Sequence, residues 1–204
     1  MTPAERPRQR SILVLALWAL AALLAFLWLG QEVLRGNAQP FDDSIRRLVH
    51  AHAAPELTAV MRTISLIGSP WCLVAAGVPV AVWAARKRGV RMAVLFLVAA
   101  LGADGLEELL KLAYRRPRPV PFFGLAEPAT YSFPSGHALV SFAFFGALVM
   151  FAAPRRWWMY AAALLAIAAI GFSRVYLGVH YPTDVLGGWA AAAAWVVSVT
   201  AMRR

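Results

Sequence analysis

Six apolar windows, residues 11–30, 63–85, 92–110, 137–153, 157–172 and 185–202, occupy more than half of this 204-residue chain. A bilayer core of about 30 Å takes about 20 mostly apolar residues per crossing helix, so windows of this length read as membrane spans. Five carry no charged side chain, and the third crowds Asp104, Glu107 and Glu108 at its late end. Composition agrees: 61% hydrophobic and 15% charged residues give more apolar surface than one soluble core of this length holds. The expected architecture is all-α, a polytopic bundle of six transmembrane helices forming one membrane-embedded domain over residues 1–204. The first window follows Arg6, Arg8 and Arg10 as a secretory signal would. Its apolar stretch is too long for a signal core and no small-residue cleavage site follows, so it reads as an uncleaved first span.

The formal charge of +10 does not make a nucleic-acid binder of the chain, because the basic residues fall in short clusters between apolar runs. Their placement orients the bundle instead. Arg6, Arg8, Arg10, Arg86, Lys87, Arg88, Arg91, Arg155, Arg156, Arg203 and Arg204 fall on one side, eleven of the twenty Lys and Arg. Setting aside Lys111, Arg118 and Arg174, which are assigned to chemistry below, the other side keeps six. By the positive-inside rule both termini face the cytoplasm, at the inner (plasma) membrane of a bacterium, and the loops after the first, third and fifth spans face outward. The segment 31–62 mixes Asp42, Asp43, Arg46, Arg47, His50, His52 and Glu56 at a density suited to a solvated or interfacial helix. His50 and His52 are two apart, on different helix faces, and read as structural rather than metal-binding or catalytic. Cys72 has no partner for an intramolecular disulfide and reads as a small packed hydrophobe. Trp157 and Trp158 read as interface anchors. Alanine-rich faces such as 190–194 pack equally well within one chain or between two, so they select no oligomeric state.

The unusual residues collect in the outward loops. The third span ends in DGLEELLKLAYRRPRP, where Pro117, Pro119 and Pro121 keep the chain extended and gather Lys111, Arg115, Arg116 and Arg118 into a cationic neighbourhood. Snorkelling to lipid headgroups is the ordinary alternative for such residues. Glu107, four residues before Lys111, offers that lysine a helical ion pair, which is favoured for it and for Glu108 over catalysis. The next span opens with YSFPSGH. If His137 begins a helix, Ser135 and Gly136 sit where free N–H groups and the helix dipole favour an anion, and His137 can give a proton to a leaving oxygen. The last outward loop, SRVYLGVHYPTD, supplies Arg174 as a forked donor, His180 as a candidate nucleophile and Asp184 four residues on. Pro182 suits a first helical turn, which places His180 and Asp184 to one side, so that the carboxylate can fix the imidazole tautomer.

These three segments resemble the three signature motifs of the type 2 phosphatidic acid phosphatase superfamily of membrane lipid phosphatases. KLAYRRPRP matches the first with Lys111, six intervening residues, Arg118 and Pro119; PSGH at 134–137 matches the second; Ser173, Arg174, His180 and Asp184 match the third with its internal spacing. The resemblance implies that Lys111, Arg118, Arg174, Ser135 and Gly136 hold phosphate. It implies that His180 attacks phosphorus to form a phosphohistidine, oriented by Asp184, and that His137 protonates the departing oxygen. It implies no cofactor and no metal, since the motif offers cations and backbone dipoles rather than a carboxylate cage. The implied partner is a lipid phosphate in the bilayer: phosphatidic acid, phosphatidylglycerol phosphate or a polyprenyl diphosphate.

Three other readings bear on these residues. A lipid phosphotransferase passes the same phosphohistidine to an alcohol. Vanadium-dependent haloperoxidases share the motif constellation but are larger soluble proteins. A non-catalytic lipid-binding protein would be expected to lose a histidine or arginine, and this chain keeps His137, Arg174, His180 and Asp184.

Overall fold

A computed structural model describes residues 5–126, 128–152 and 156–203, with side chains from residue 12 onward. The side chains of Arg6, Arg8 and Arg10, together with Ala153, Arg155 and Arg204, lie outside the described residues. Among the described residues the fold is all-helical: α1 Glu5–Leu34, α2 Gln39–Ala51, α3 Pro55–Ile67, α4 Pro70–Arg88, α5 Val90–Tyr114, α6 Gly136–Ala147 continued by a π-helical turn Leu148–Ala152, α7 Trp157–Tyr176 and α8 Pro182–Ala201.

Local chemistry sets these boundaries. Proline stands in the first turn of α2, α3, α4 and α8, where its missing N–H costs no helical bond. The apolar window 63–85 is divided by this rule. Gly68 closes α3, Ser69 caps α4 by accepting the Cys72 N–H, Pro70 follows, and the two helices meet at a 52° bend. α5 ends at Arg115, which takes a left-handed conformation (φ 48°), and the prolines that follow keep the chain extended.

α1 over Ile12–Leu34, α7 and α8 are long and apolar enough to cross a bilayer, and the bent α3–α4 pair makes a fourth candidate. By length and composition three or four of the expected six crossings are thus met among the described residues. α5 has acidic residues in its second half, and α6 with its π turn is short. Cys72 is exposed on α4 rather than packed. Segment 31–62 forms two short helices, and Asp42, expected in a solvated setting, has no exposed surface.

α6 is the hub, packing on α4, α5, α7 and α8, while α1 packs along α8. One face of α6 adds Val140, Phe144 and Ala147 to a core with Leu73, Phe96 and Val199; another adds Leu139 and Ala143 to a core with Phe26, Phe133 and Ala192. A helix apolar on every side has no water-facing stripe, as befits the middle of a bundle. α1 turns Leu13, Trp18, Leu24 and Trp28 outward, and Trp71, Trp157 and Trp158 stand exposed at helix starts, consistent with lipid-facing and interfacial positions.

The bundle has two chemically different ends. Arg86, Lys87 and Arg88 close α4, Arg91 opens α5 and donates to the Met202 carbonyl at 2.8 Å, and Arg203 follows α8. Lys111, His137, Arg174 and Asp184 lie in the last turn of α5, the first of α6, the last of α7 and the first of α8, all at the opposite end.

Gly188 carries the contact between α8 and the start of α6. A Cβ there would lie 2.8 Å from the Ser135 carbonyl oxygen and 3.1 Å from the Leu139 nitrogen, both backbone atoms. Overpacking of this kind typically costs about 1–3 kcal/mol. Gly188→Ala is therefore expected to lower the thermal midpoint in detergent, whereas Gly105→Ala, which meets nothing within 4 Å, leaves it unchanged or raises it.

Candidate active site

The site forms where the chain segments 111–118, 132–137 and 174–184 meet. The PSGH segment is pinned from both sides: the Ser132 N–H donates to the Arg116 carbonyl at 2.8 Å and the Ser135 N–H to the Asp184 carbonyl at 2.9 Å. Ser135 is the N-cap of α6, yet its hydroxyl makes no capping bond. That Oγ is buried and has no hydrogen-bond partner, a state that costs stability unless a ligand uses the hydroxyl.

Asp184 is fully buried and accepts from four donors. Its Oδ1 takes Arg116 Nη1 at 2.8 Å, and its Oδ2 takes the Tyr181 N–H at 2.8 Å, the Ser132 hydroxyl and the His180 ring at 3.3 Å. His180 is 2% exposed. Its Nδ1 faces Asp184 and its Nε2 lies 3.1 Å from Arg118 Nη1. A guanidinium can only donate, so Nε2 accepts and the ring proton sits on Nδ1, where it is given to Asp184. The nitrogen with the lone pair thus faces the cations.

Arg118 also donates through Nε to the Thr130 carbonyl at 2.6 Å and through Nη1 to the Val179 carbonyl at 2.9 Å, which fixes its plane. Lys111 pairs with Glu107, and both are largely buried. The Glu107 carboxylate fills the space a side chain at position 136 would take, so glycine there accommodates the partner of Lys111. His137 lies within electrostatic reach of Arg174, His180, Lys111 and Arg118. Together with Arg174 it lines a cavity of about 340 Å³ that extends past Ser65, Leu66 and Ser69 of the α3–α4 bend to Ala126 and Pro128. Arg174 donates to the buried Ser65 hydroxyl, while its buried Nε has no partner.

All eight residues selected from the sequence thus lie at one end of the bundle. The arginine cluster of 115–118, expected as a single neighbourhood, divides. Arg118 faces His180, Arg116 lies behind Asp184, and Arg115 turns back onto the Leu112 carbonyl at 3.0 Å. His50 stacks on Phe122 with centroids 4.0 Å apart, and His52 contacts the Leu48 carbonyl. Asp42, Ser65, Thr130, Ser132 and Thr183 were not anticipated. Ser132 and Thr183 flank the motif residues, and that adjacency was the available signal; Asp42 and Ser65 lie far away in sequence and carried none.

The family model of the PAP2 superfamily matches residues 92–204. An undecaprenyl-diphosphatase of Sulfolobus acidocaldarius is 26% identical over 84% of this chain and 84% of its own length. Phosphatidylglycerophosphatase B of Bacillus subtilis is 30% identical over 82% of this chain and 85% of its own. The crystal structure of a transmembrane PAP2-type phosphatidylglycerolphosphate phosphatase from Bacillus subtilis superposes with a TM-score of 0.83 at 26% identity, covering 91% of this chain and 96% of that one.

Burial pushes the His180 imidazole down from 6.5 to about 3, outweighing Asp184, which pulls it up. Between those values the unfolded chain binds a proton that the folded site refuses. The neutral ring's contribution to stability is therefore complete above about pH 6.5 and is lost as pH falls toward about 3. Nitrogen-15 spectra of ring-labelled protein are expected to show His180 as the neutral Nδ1–H tautomer at about pH 5, where a solvent-exposed histidine is protonated. An imidazolium signal for His180 at that pH contradicts the assignment.

Proposed function

The chain belongs to the PAP2 superfamily, and on that premise we propose that it is a membrane phosphohydrolase working through a phosphohistidine on His180. Its substrates are lipid phosphates or diphosphates of the phosphatidic acid, phosphatidylglycerol phosphate or polyprenyl diphosphate type. That it is a phosphatase of membrane lipids and itself a membrane protein follows from the family and from relatives named as phosphatases. One observation supports His180 as the nucleophile: a buried imidazole with its proton directed to a carboxylate and its lone pair directed at a guanidinium, beside an unpartnered serine hydroxyl.

In this reading Lys111, Arg118 and Arg174 neutralise the phosphate, and the Ser135 hydroxyl and the Gly136 N–H complete the cradle at the α6 N-terminus. A phosphate oxygen replaces the His180 lone pair on Arg118, freeing Nε2. Nε2 bonds to phosphorus, the bond to the leaving oxygen breaks, and His137, which enters the step as the imidazolium beside the bound phosphate anion, delivers its proton to that oxygen and is left neutral. The phosphorylated ring keeps Nδ1–H and is cationic, with Asp184 balancing the charge. Water then attacks phosphorus, His137 takes its proton, phosphate leaves and His180 is restored. The negative charge on the phosphoryl group is met in this sequence by side-chain cations, a hydroxyl and a backbone dipole, so turnover needs no metal.

The proposed topology is six crossings in one domain over residues 1–204. The bent α3–α4 pair, α5, and α6 with its π turn complete the set begun by α1, α7 and α8. Both termini face the cytoplasm at a bacterial inner membrane, and the site faces outward. The arginine and lysine residues at the end opposite the site support this orientation.

Purified protein in detergent with EDTA is expected to release phosphate from at least one of the three lipid classes. His180→Ala should abolish release, and Asp184→Asn should slow it at least about 100-fold, both without loss of folded protein. Wild-type release from His180→Ala removes the mechanism. Orientation is checked separately in a Cys72→Ala background: Ala126→Cys is expected to react with an impermeant thiol reagent in intact cells and Gly89→Cys to stay unlabelled. Labelling in the opposite pattern inverts the topology.

A further inference from the structure

Behind Asp184 the structure holds a second carboxylate, outside the three signature segments and outside the residues matched by the family. Asp42 of α2 has no exposed surface. Its Oδ1 accepts the Thr183 N–H at 2.9 Å, and its Oδ2 accepts the Thr183 hydroxyl at 2.6 Å and Arg116 Nη2 at 2.7 Å. Arg116, 7% exposed, uses its other arm on Asp184 Oδ1 and the Thr183 hydroxyl, both at 2.8 Å, and its guanidinium lies 4.0 Å from the centroid of the Tyr181 ring. The result is an unbroken buried chain, Asp42–Arg116–Asp184–His180.

We infer that Asp42 and Arg116 are positioning residues for the nucleophile: Arg116 fixes the Asp184 carboxylate, and Asp42 sets the charge of the chain that His180 meets. The argument is one of buried charge. When His180 bonds to phosphorus its ring becomes cationic, so the chain behind it stabilises that step only if it is net negative. Asp184 with Arg116 alone is neutral. Asp42 restores one negative charge in a region from which water is excluded and where screening is weak. The fork of Arg116 also matters, because one guanidinium spanning two carboxylates holds Asp184 Oδ1 and leaves Oδ2 for the His180 N–H.

Removing the Asp42 charge need not undock α2. Arg46 on the same helix donates to the Val120 carbonyl at 2.8 Å and the Gly178 carbonyl at 3.3 Å and lies over the Phe122 ring at 4.8 Å. The Thr183 N–H keeps an acceptor if asparagine presents its oxygen there.

This inference rests on the assignment of His180 and Asp184 above, and a double-mutant cycle separates the two. Asp42→Asn is expected to lower kcat for phosphate release about 10–100-fold with KM changed less than about 2-fold, as loss of a supporting partner does elsewhere. In an Asp184→Asn background the same substitution should cost clearly less, because the carboxylate that Arg116 positions is gone and only the loss of buried negative charge remains. An unchanged kcat, or an equal loss in both backgrounds, overturns the inference and leaves the nucleophile assignment standing. Wild-type turnover in His180→Ala overturns that assignment instead. Should Asp42→Asn not fold, Arg116→Lys enters the same cycle, since an ammonium keeps the buried charge but cannot span both carboxylates, and the same pair of results decides.

Discussion

A carboxylate without water needs a donor for each of its lone pairs, and Asp184 draws its donors from separate stretches of chain. Arg116 comes from the extended segment after α5, Ser132 from the loop before α6, and Tyr181 and His180 from the turn that opens α8. Its own carbonyl then receives the Ser135 N–H, which sets the first turn of α6. Burying one aspartate is thus what brings the three motif segments to a single place. Helix packing determines how close α6 and α8 stand; Asp184 determines which residues face each other at their shared end. Unpartnered, a buried charge of this kind is among the costliest features a fold can carry, so the loops that satisfy it have little freedom to do otherwise.

Much of this was legible in the sequence because the relevant signals are short-range. The interval from His180 to Asp184 places both on one side of a helix start, Pro182 marks that start, and PSGH marks the start of α6. The Glu107–Lys111 pair follows from helical periodicity alone. What could not be read depends on contacts between distant segments. Asp42 lies 142 residues before Asp184, in a stretch whose mix of charges reads as solvated, and only the docking of α2 against the α8 turn makes it a core residue. The split of Arg116 from Arg118 was hidden for the same reason, since an extended RPRP segment says where the backbone goes but not which buried acceptor claims each guanidinium. The window 63–85 misled in another way. Hydropathy averages over Gly68, Ser69 and Pro70, whereas the backbone responds to them individually and bends.

Glycine's part in the site is steric as much as electrostatic. At position 136 it leaves space for the Glu107 carboxylate that accompanies Lys111, and at 188 it lets two backbones approach where Ser135 is held. Neither glycine needs an unusual backbone angle, since both are helical. A cationic site is therefore assembled with little bulk around it.

The bend between α3 and α4 has a kinetic consequence. Ser65, Leu66 and Ser69 at that bend form one wall of the cavity containing His137 and Arg174, and Leu66 and Ile67 beside it are 67% and 61% exposed. For a substrate of the proposed class, a headgroup arriving along this wall would keep its tail in the hydrocarbon layer. Encounter is then a search in two dimensions, and the saturating variable is the substrate's mole fraction in the membrane. Diluting the substrate with inert lipid or detergent slows such an enzyme even when the bulk concentration is held constant.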